Sequence, residues 1–167
     1  MNYSEFYSRI SRPFRRNSRL HEMLIYFNMY FTYTVYLLYP CLLIWLAFHS
    51  WKRCLLTVLI PGISFFLLTY IRKKINRLRP YEAWDIDVLL EKQTSGNSMP
   101  SRHVFSAAII AMAVMQVSVP LGYVLLFLTA VSCAVRVLLG VHYPSDVAIG
   151  YIIGILCGLP LVLMQGI

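Results

Sequence analysis

Apolar and polar positions alternate along this chain in long blocks. Five runs are nearly free of charge: residues 24–48, 54–71, 104–119, 120–139 and 147–164. Runs of about 17–25 apolar residues are the length a helix needs to cross a bilayer, so each predicts a membrane helix, the third being the shortest. Tyr26, Tyr30 and Tyr33 recur at helical spacing in the first run, as packing and interfacial side chains do, and Pro40 predicts a kink there. Pro61-Gly62 interrupts the second, which a helix bundle tolerates. In the last, Gly150, Gly154 and Gly158 repeat every four residues and predict a second helix lying close against that face. The pattern gives one all-α, integral-membrane bundle of about five transmembrane helices, spanning residues 1–167 as a single domain.

Composition agrees: 59% of the 167 residues are hydrophobic and 13% charged, far from a soluble balance. The first apolar run follows more than twenty largely polar residues and is too long for a signal core, so it is expected to stay in the membrane. The net charge of +8 raises the question of nucleic acid. The basic residues flank spans and carry no nucleic-acid motif, so lipid bilayer is the expected partner and nucleic acid is not. Residues 1–22 hold Arg9, Arg12, Arg15, Arg16 and Arg19 among aromatics, which predicts a basic interfacial arm, either a surface anchor or a disordered extension. Cys41, Cys54, Cys133 and Cys157 lack metal or redox spacing and read as small hydrophobes.

Residues 72–103 form the long polar connection. A basic cluster from Arg72 to Pro80 leads into an acidic stretch (Glu82, Asp85, Asp87, Glu91) and then to Gly96-Asn-Ser-Met-Pro-Ser-Arg-His103. Loops of this length are functional or disordered. Pro100 suits the start of a helix, whose free amides bind anions. A second polar stretch, Arg136 to Asp146, puts three ionisable groups at a membrane edge, where each is costly unless partnered. Counting spans brings both stretches to the same membrane face. Arg72, Lys73, Arg79, Ser101, Arg102, His103, Arg136, His142 and Asp146 can then converge on one site. Guanidinium groups fit phosphoryl oxygens, a neutral His142 held by Asp146 four residues on is a nucleophile for phosphorus, and His103 is an acid and base for the departing oxygen. Such transfer through a phosphohistidine requires no metal and no other cofactor.

These residues resemble the phosphatidic-acid phosphatase type 2 superfamily, lipid phosphate phosphatases related to vanadium-dependent haloperoxidases. Its signatures are Lys-x6-Arg-Pro, Pro-Ser-Gly-His and Ser-Arg-x5-His-x3-Asp. Here stand Arg72-x6-Arg79-Pro80, Pro100-Ser101-Arg102-His103 and Val135-Arg136-x5-His142-x3-Asp146, in the same order and spacing. The resemblance implies a nucleophile at His142, an orienting carboxylate at Asp146, an acid/base at His103 and phosphate binding by Arg79, Ser101 and Arg136. Three positions depart from it: Arg72 replaces lysine, with Lys73 adjacent; Arg102 replaces glycine; and Val135 replaces serine. The three ordered spacings set aside the reading of buried structural histidines and merely topogenic arginines.

The expected substrate is a membrane lipid phosphate. A polyprenyl diphosphate such as undecaprenyl diphosphate is placed ahead, because the many cations could hold two phosphates. Phosphatidate or phosphatidylglycerol phosphate is the alternative, and a non-catalytic lipid-binding or transport protein is the rival of another class. The expected location is the cell membrane. The five arginines of the N-terminal arm place the active face in the cytosol by the positive-inside rule, whereas the resemblance implies the outer face. Arginines explained by phosphate are poor topology signals, so the reading leans outward. Oligomeric state is open.

Overall fold

A computed structural model describes residues 2–90 and 94–163. Glu91 of the acidic stretch and Met164 at the end of the last apolar run lie outside the described residues. The described chain is helical throughout, without a strand: α1 (Tyr3–Arg16), α2 (Ser18–His49), α3 (Trp51–Ile75), α4 (Pro80–Ala83), α5 (Arg102–Val114), α6 (Val119–Leu138) and α7 (Pro144–Leu163).

Among the described residues, α2, α3, α6 and α7 are long and apolar enough to cross a membrane. The run 24–48 is one continuous helix through Pro40. Polar caps set the boundaries. Asn17 accepts hydrogen bonds from the amides of Arg19 and Leu20 to start α2, and Ser118 accepts from Leu121 to start α6. Ser50 serves both neighbours: its amide donates to Leu46 O to close α2, and its hydroxyl accepts from Arg53 N to open α3.

The third apolar run resolves differently from the others. α5 has 13 residues, about 20 Å at 1.5 Å per residue, shorter than the ~30 Å hydrocarbon layer. It is the centre of the bundle rather than part of its rim: Val104, Phe105 and every residue from Ala107 to Val114 are buried. The chain reverses through Met115–Ser118 and returns as α6. A helix wrapped by protein need not match the bilayer, because its ends are covered by neighbouring helices.

The glycine stripe of α7 makes that burial possible. A Cβ at Gly150 would lie 2.7 Å from Ser101 O, and one at Gly154 would lie 2.7 Å from Phe105 O and from Ala108 Cβ. Only a bare helix face allows α7 to lie this close along α5, as the four-residue repeat predicts.

The N-terminal segment is a docked helix. Tyr7 and Ser11 on its inner face are fully buried, and the Tyr7 hydroxyl donates to Leu138 O at 3.1 Å while accepting from Leu89 N at 3.3 Å. Gly140, at φ +78°, lies beneath that ring, where a Cβ would come 2.8 Å from the Tyr7 oxygen. Arg9, Arg12 and Arg16 stay exposed on the outer face, as an amphipathic basic helix requires.

Candidate active site

The end of α3, the start of α5, the end of α6 and the start of α7 meet at one end of the bundle, capped by residues 76–90 and 94–101. That polar connection is held by a carboxylate. Glu82 accepts from Arg79 N (2.8 Å), Ser95 Oγ (2.6 Å) and Gly96 N (2.9 Å). Burial pushes this carboxyl up, but the three hydrogen bonds outweigh it and hold it below its ordinary range. The knot fixes a sharp bend at Gly96 (φ 58°) and Asn97 (φ 51°), both in the left-handed region that glycine and asparagine tolerate. Beyond the bend, Ser98 N donates to Arg77 O at 2.9 Å, so Ser98 and Arg77 enter the site side by side.

Asp146, in the first turn of α7, is wholly buried and surrounded by donors. The Ser98 hydroxyl and Tyr143 N (3.1 Å) donate to Oδ2, and Arg77 Nη1 donates to Oδ1 at 2.8 Å. Its backbone oxygen accepts from Ser101 N at 2.9 Å, tying the start of α5 to α7. His142 lies in the connection between α6 and α7, 2% exposed. Its Nδ1 is 3.3 Å from Ser98 Oγ and 3.6 Å from Asp146 Oδ2. Burial is the main force on this imidazole, aided by Arg136 and Arg79 and only partly opposed by Asp146, and pulls its pKa down to about 4. The ring is therefore neutral at physiological pH. With Nδ1 turned to Ser98 and Asp146, Nε2 occupies the opposite edge.

Cations line the other side. Arg136 is 2% exposed, and its Nη1 donates to Asn28 Oδ1 of α2 at 3.0 Å. Arg72, also buried, donates to Asn97 O, and Arg79 Nε donates to Gly96 O at 3.2 Å. Arg79 is within electrostatic reach of Arg72, Arg136 and His142, so it joins the two halves of the site. A polar cavity of about 290 Å³ is walled by Arg72, Lys73, Arg79, Arg102 and Asn97. Lys73 and Arg102 are exposed at its edge, and the Arg102 guanidinium lies 5.8 Å from the Phe65 ring centre. His103 lines a second gap with Arg136, Ser132 and Tyr36, of about 10 Å³, room for roughly one water. Ser101 Oγ, Arg136 Nε and Asn97 Oδ1 are buried without a hydrogen-bond partner. Buried polar groups are normally satisfied, so the orphaned donors Ser101 Oγ and Arg136 Nε fit an anion with several oxygens, whereas Asn97 Oδ1 can only accept.

Two solved structures share this architecture. LpxE of Aquifex aeolicus superposes with a TM-score of 0.72 at 25% identity, covering 95% of this chain and 93% of its own. A transmembrane PAP2 type phosphatidylglycerolphosphate phosphatase from Bacillus subtilis superposes at 0.74 and 21% identity, covering 97% and 85%. No curated protein matches the chain in sequence. The sequence profile of the PAP2 superfamily matches residues 51–166, more than two thirds of the chain. The chain belongs to the PAP2 superfamily. It is accordingly a membrane phosphoric-ester hydrolase of the type 2 phosphatidic acid phosphatase kind.

Within this PAP2 protein the three departures from the signatures have structural counterparts. Arg72 is the inward cation and Lys73 the outward one. Arg102 adds a charge at the cavity edge without disturbing the buried Ser101. Val135 packs with Leu24, Leu139 and Val141 in an apolar cluster, a place where a hydroxyl would need its own partner. Four residues that hold the site were not among the sequence candidates: Ser98, Arg77, Glu82 and Asn28. Asn28 carried a signal, being the one side-chain amide in the apolar run 24–48. The other three sit in a polar loop, where nothing in the sequence separates them from their neighbours.

Proposed function

We propose that this PAP2 protein hydrolyses a lipid phosphate or diphosphate through a phosphohistidine on His142. The observation that carries the reading is the buried imidazole held on one edge by Ser98 and Asp146, with the guanidinium groups of Arg79 and Arg136 within electrostatic reach. In the first step His142 Nε2 bonds to the terminal phosphorus, and the bond from that phosphorus to the leaving oxygen breaks. A protonated His103 gives its proton to that oxygen, which is the ester oxygen of a monophosphate or the bridging oxygen of a diphosphate; the latter departs as the lipid monophosphate. In the second, water bonds to phosphorus, the bond from phosphorus to His142 Nε2 breaks to release inorganic phosphate, and the water gives a proton to His103. Arg72, Arg79, Arg136 and Ser101 stabilise the charge on the transferring oxygens, the dominant contribution in phosphoryl transfer. No metal takes part in this scheme.

An apolar groove of about 340 Å³ between α2, α3 and α5 supports a lipid as substrate. Tyr36 lines both this groove and the gap beside His103 and Arg136, and Phe65 joins it to Arg102 at the edge of the polar cavity. A headgroup in the cavity thus has a path for its hydrocarbon. Lys73 and Arg102 at the outer wall favour a second phosphate, hence a polyprenyl diphosphate such as undecaprenyl diphosphate. Phosphatidylglycerol phosphate or phosphatidate is the second reading, favoured by the name of the Bacillus subtilis structure. In this reading the protein lies in the cell membrane with its site outward, and labelling of single cysteines placed near Ser145 from either side of sealed vesicles tests that.

The deciding experiment is phosphate release by purified protein from undecaprenyl diphosphate, phosphatidate and phosphatidylglycerol phosphate. The diphosphate is expected to give the highest kcat/KM. Activity should persist in chelator and be blocked by vanadate, which mimics five-coordinate phosphorus. Undiminished release by His142→Ala would mean a different catalytic route, and no release from any of the three lipids by the unaltered protein would leave a non-catalytic lipid-binding or transport protein as the better account.

A further inference from the structure

We propose that Ser98 is a positioning residue for the nucleophile, standing between Asp146 and His142 and passing the hold of the carboxylate to the imidazole. This rests on the phosphohistidine reading above. Ser98 is fully buried. Its hydroxyl donates to Asp146 Oδ2 and lies 3.3 Å from His142 Nδ1, whereas the carboxylate oxygen itself is 3.6 Å from that nitrogen. Both separations are longer than the usual N–H···O bond, and the hydroxyl is the nearer of the two acceptors. A hydroxyl has one hydrogen, and here the acid takes it. Towards the imidazole Ser98 can then only accept. Nδ1 therefore carries the hydrogen, and the lone pair is left on Nε2, the tautomer that attack on phosphorus needs.

The surroundings keep Asp146 from replacing Ser98. Its Oδ1 is bonded to Arg77 Nη1 at 2.8 Å, and Oδ2 also accepts from Tyr143 N at 3.1 Å. Moving the carboxylate onto Nδ1 would disturb both. Ser98 is pinned in turn by its amide bond to Arg77 O at 2.9 Å. When Nε2 bonds to phosphorus and the lipid oxygen leaves with a proton from His103, the ring becomes cationic while keeping its Nδ1 hydrogen. The bond to Ser98 Oγ then becomes charge-assisted and strengthens in the step that needs it. No proton passes along the relay.

The test compares Ser98→Ala and Ser98→Cys with the unaltered full-length protein in detergent micelles, using undecaprenyl diphosphate and phosphatidate. Single-turnover formation of radiolabelled phosphoenzyme and the melting temperature are followed alongside. Ser98→Ala should lower kcat and phosphoenzyme formation about 10- to 100-fold, with KM within about twofold, the rates being read well below the lowered melting temperature expected when buried Asp146 loses a donor. Ser98→Cys, close in size but a weaker hydrogen-bonding group, should fall between. A kcat for Ser98→Ala within twofold of the unaltered protein overturns the proposal. So does a loss carried by KM, a loss of rate no larger than the fraction of protein unfolded at the assay temperature, or full recovery with cysteine, since each of these marks a packing role. His142→Ala separates the two levels: if it turns over normally the phosphohistidine reading fails, and if it is inactive while Ser98→Ala is not, only the role of Ser98 fails.

Discussion

Arg77 Nη1 lies 2.8 Å from Asp146 Oδ1, joining a guanidinium that is about one third exposed to a carboxylate that is fully buried. The same nitrogen reaches Ser145 Oγ at 2.8 Å, and the guanidinium carbon stands 4.0 Å from the centre of the Tyr143 ring. A buried carboxylate needs compensation, and this contact brings the polar loop to α7 to supply it. Arg77→Ala is expected to lower kcat/KM at least tenfold and to lower the melting temperature, because a buried charge loses a donor. Arg77→Lys keeps the charge but not the fork or the ring contact, and should retain part of both. Kinetics and thermal unfolding of the two variants check this.

The lowered pKa of His142 fixes a pH dependence. An unfolded histidine titrates near 6.5, and burial brings the folded group to about 4. Folding thus favours the neutral ring. Its contribution to stability is complete above about 6.5 and is lost as pH falls through the folded value. Activity should hold down to about pH 5 and fall as the ring protonates near 4. The rate profile in kcat/KM tests the first part. For the second, the melting temperature of His142→Gln should depend less on pH between 6.5 and 4 than that of the unaltered protein.

Glu82 touches no proposed substrate atom, yet it gathers Arg79 N, Ser95 Oγ and Gly96 N. Replacing it with alanine should free Arg79 and the bend before Ser98, raising KM severalfold more than it lowers kcat. Because the folded carboxyl is held below its ordinary range, its stabilising effect is present above about pH 4.3 and disappears as pH falls through the folded value. Steady-state kinetics of Glu82→Ala and Glu82→Gln separate anchoring from charge.

The glycines of α3 and α7 give a graded series. Gly62→Ala meets nothing within 4 Å and should be neutral or stabilising by up to about 1 kcal/mol, as a better helix former. Gly62→Phe would instead fill the apolar groove, raising KM for long-chain lipid phosphates while sparing a short-chain analogue. Gly150→Ala would press on the backbone of Ser101 and should cost about 1–3 kcal/mol together with activity. At Gly158 a Cβ would come 2.4 Å from Met112 Cβ, an atom fixed by its backbone, so alanine there should cost as much stability while leaving Ser101 and activity per folded molecule untouched. Melting temperatures and kcat/KM order the three alanine variants.

The sequence by itself determined the helical membrane class, the close approach of α7 to a neighbour, and the family through three ordered spacings. These are local properties: apolar length, small-residue period and the distance between functional groups along one stretch of chain. The tertiary structure decided the rest. That 104–119 is a short central helix and not a fifth full span follows from its neighbours, because apolar residues read alike whether lipid or protein covers them. That the basic N-terminal segment docks through Tyr7 onto the turn before His142 depends on the space left by Gly140. That Ser98, Arg77, Glu82 and Asn28 hold the site depends on contacts between residues as far as 13 to 108 positions apart, such as Glu82 with Ser95 and Arg136 with Asn28. A hydroxyl or guanidinium in a polar loop acquires its role only from the partner that folding puts within about 3 Å, and linear spacing does not encode that partner.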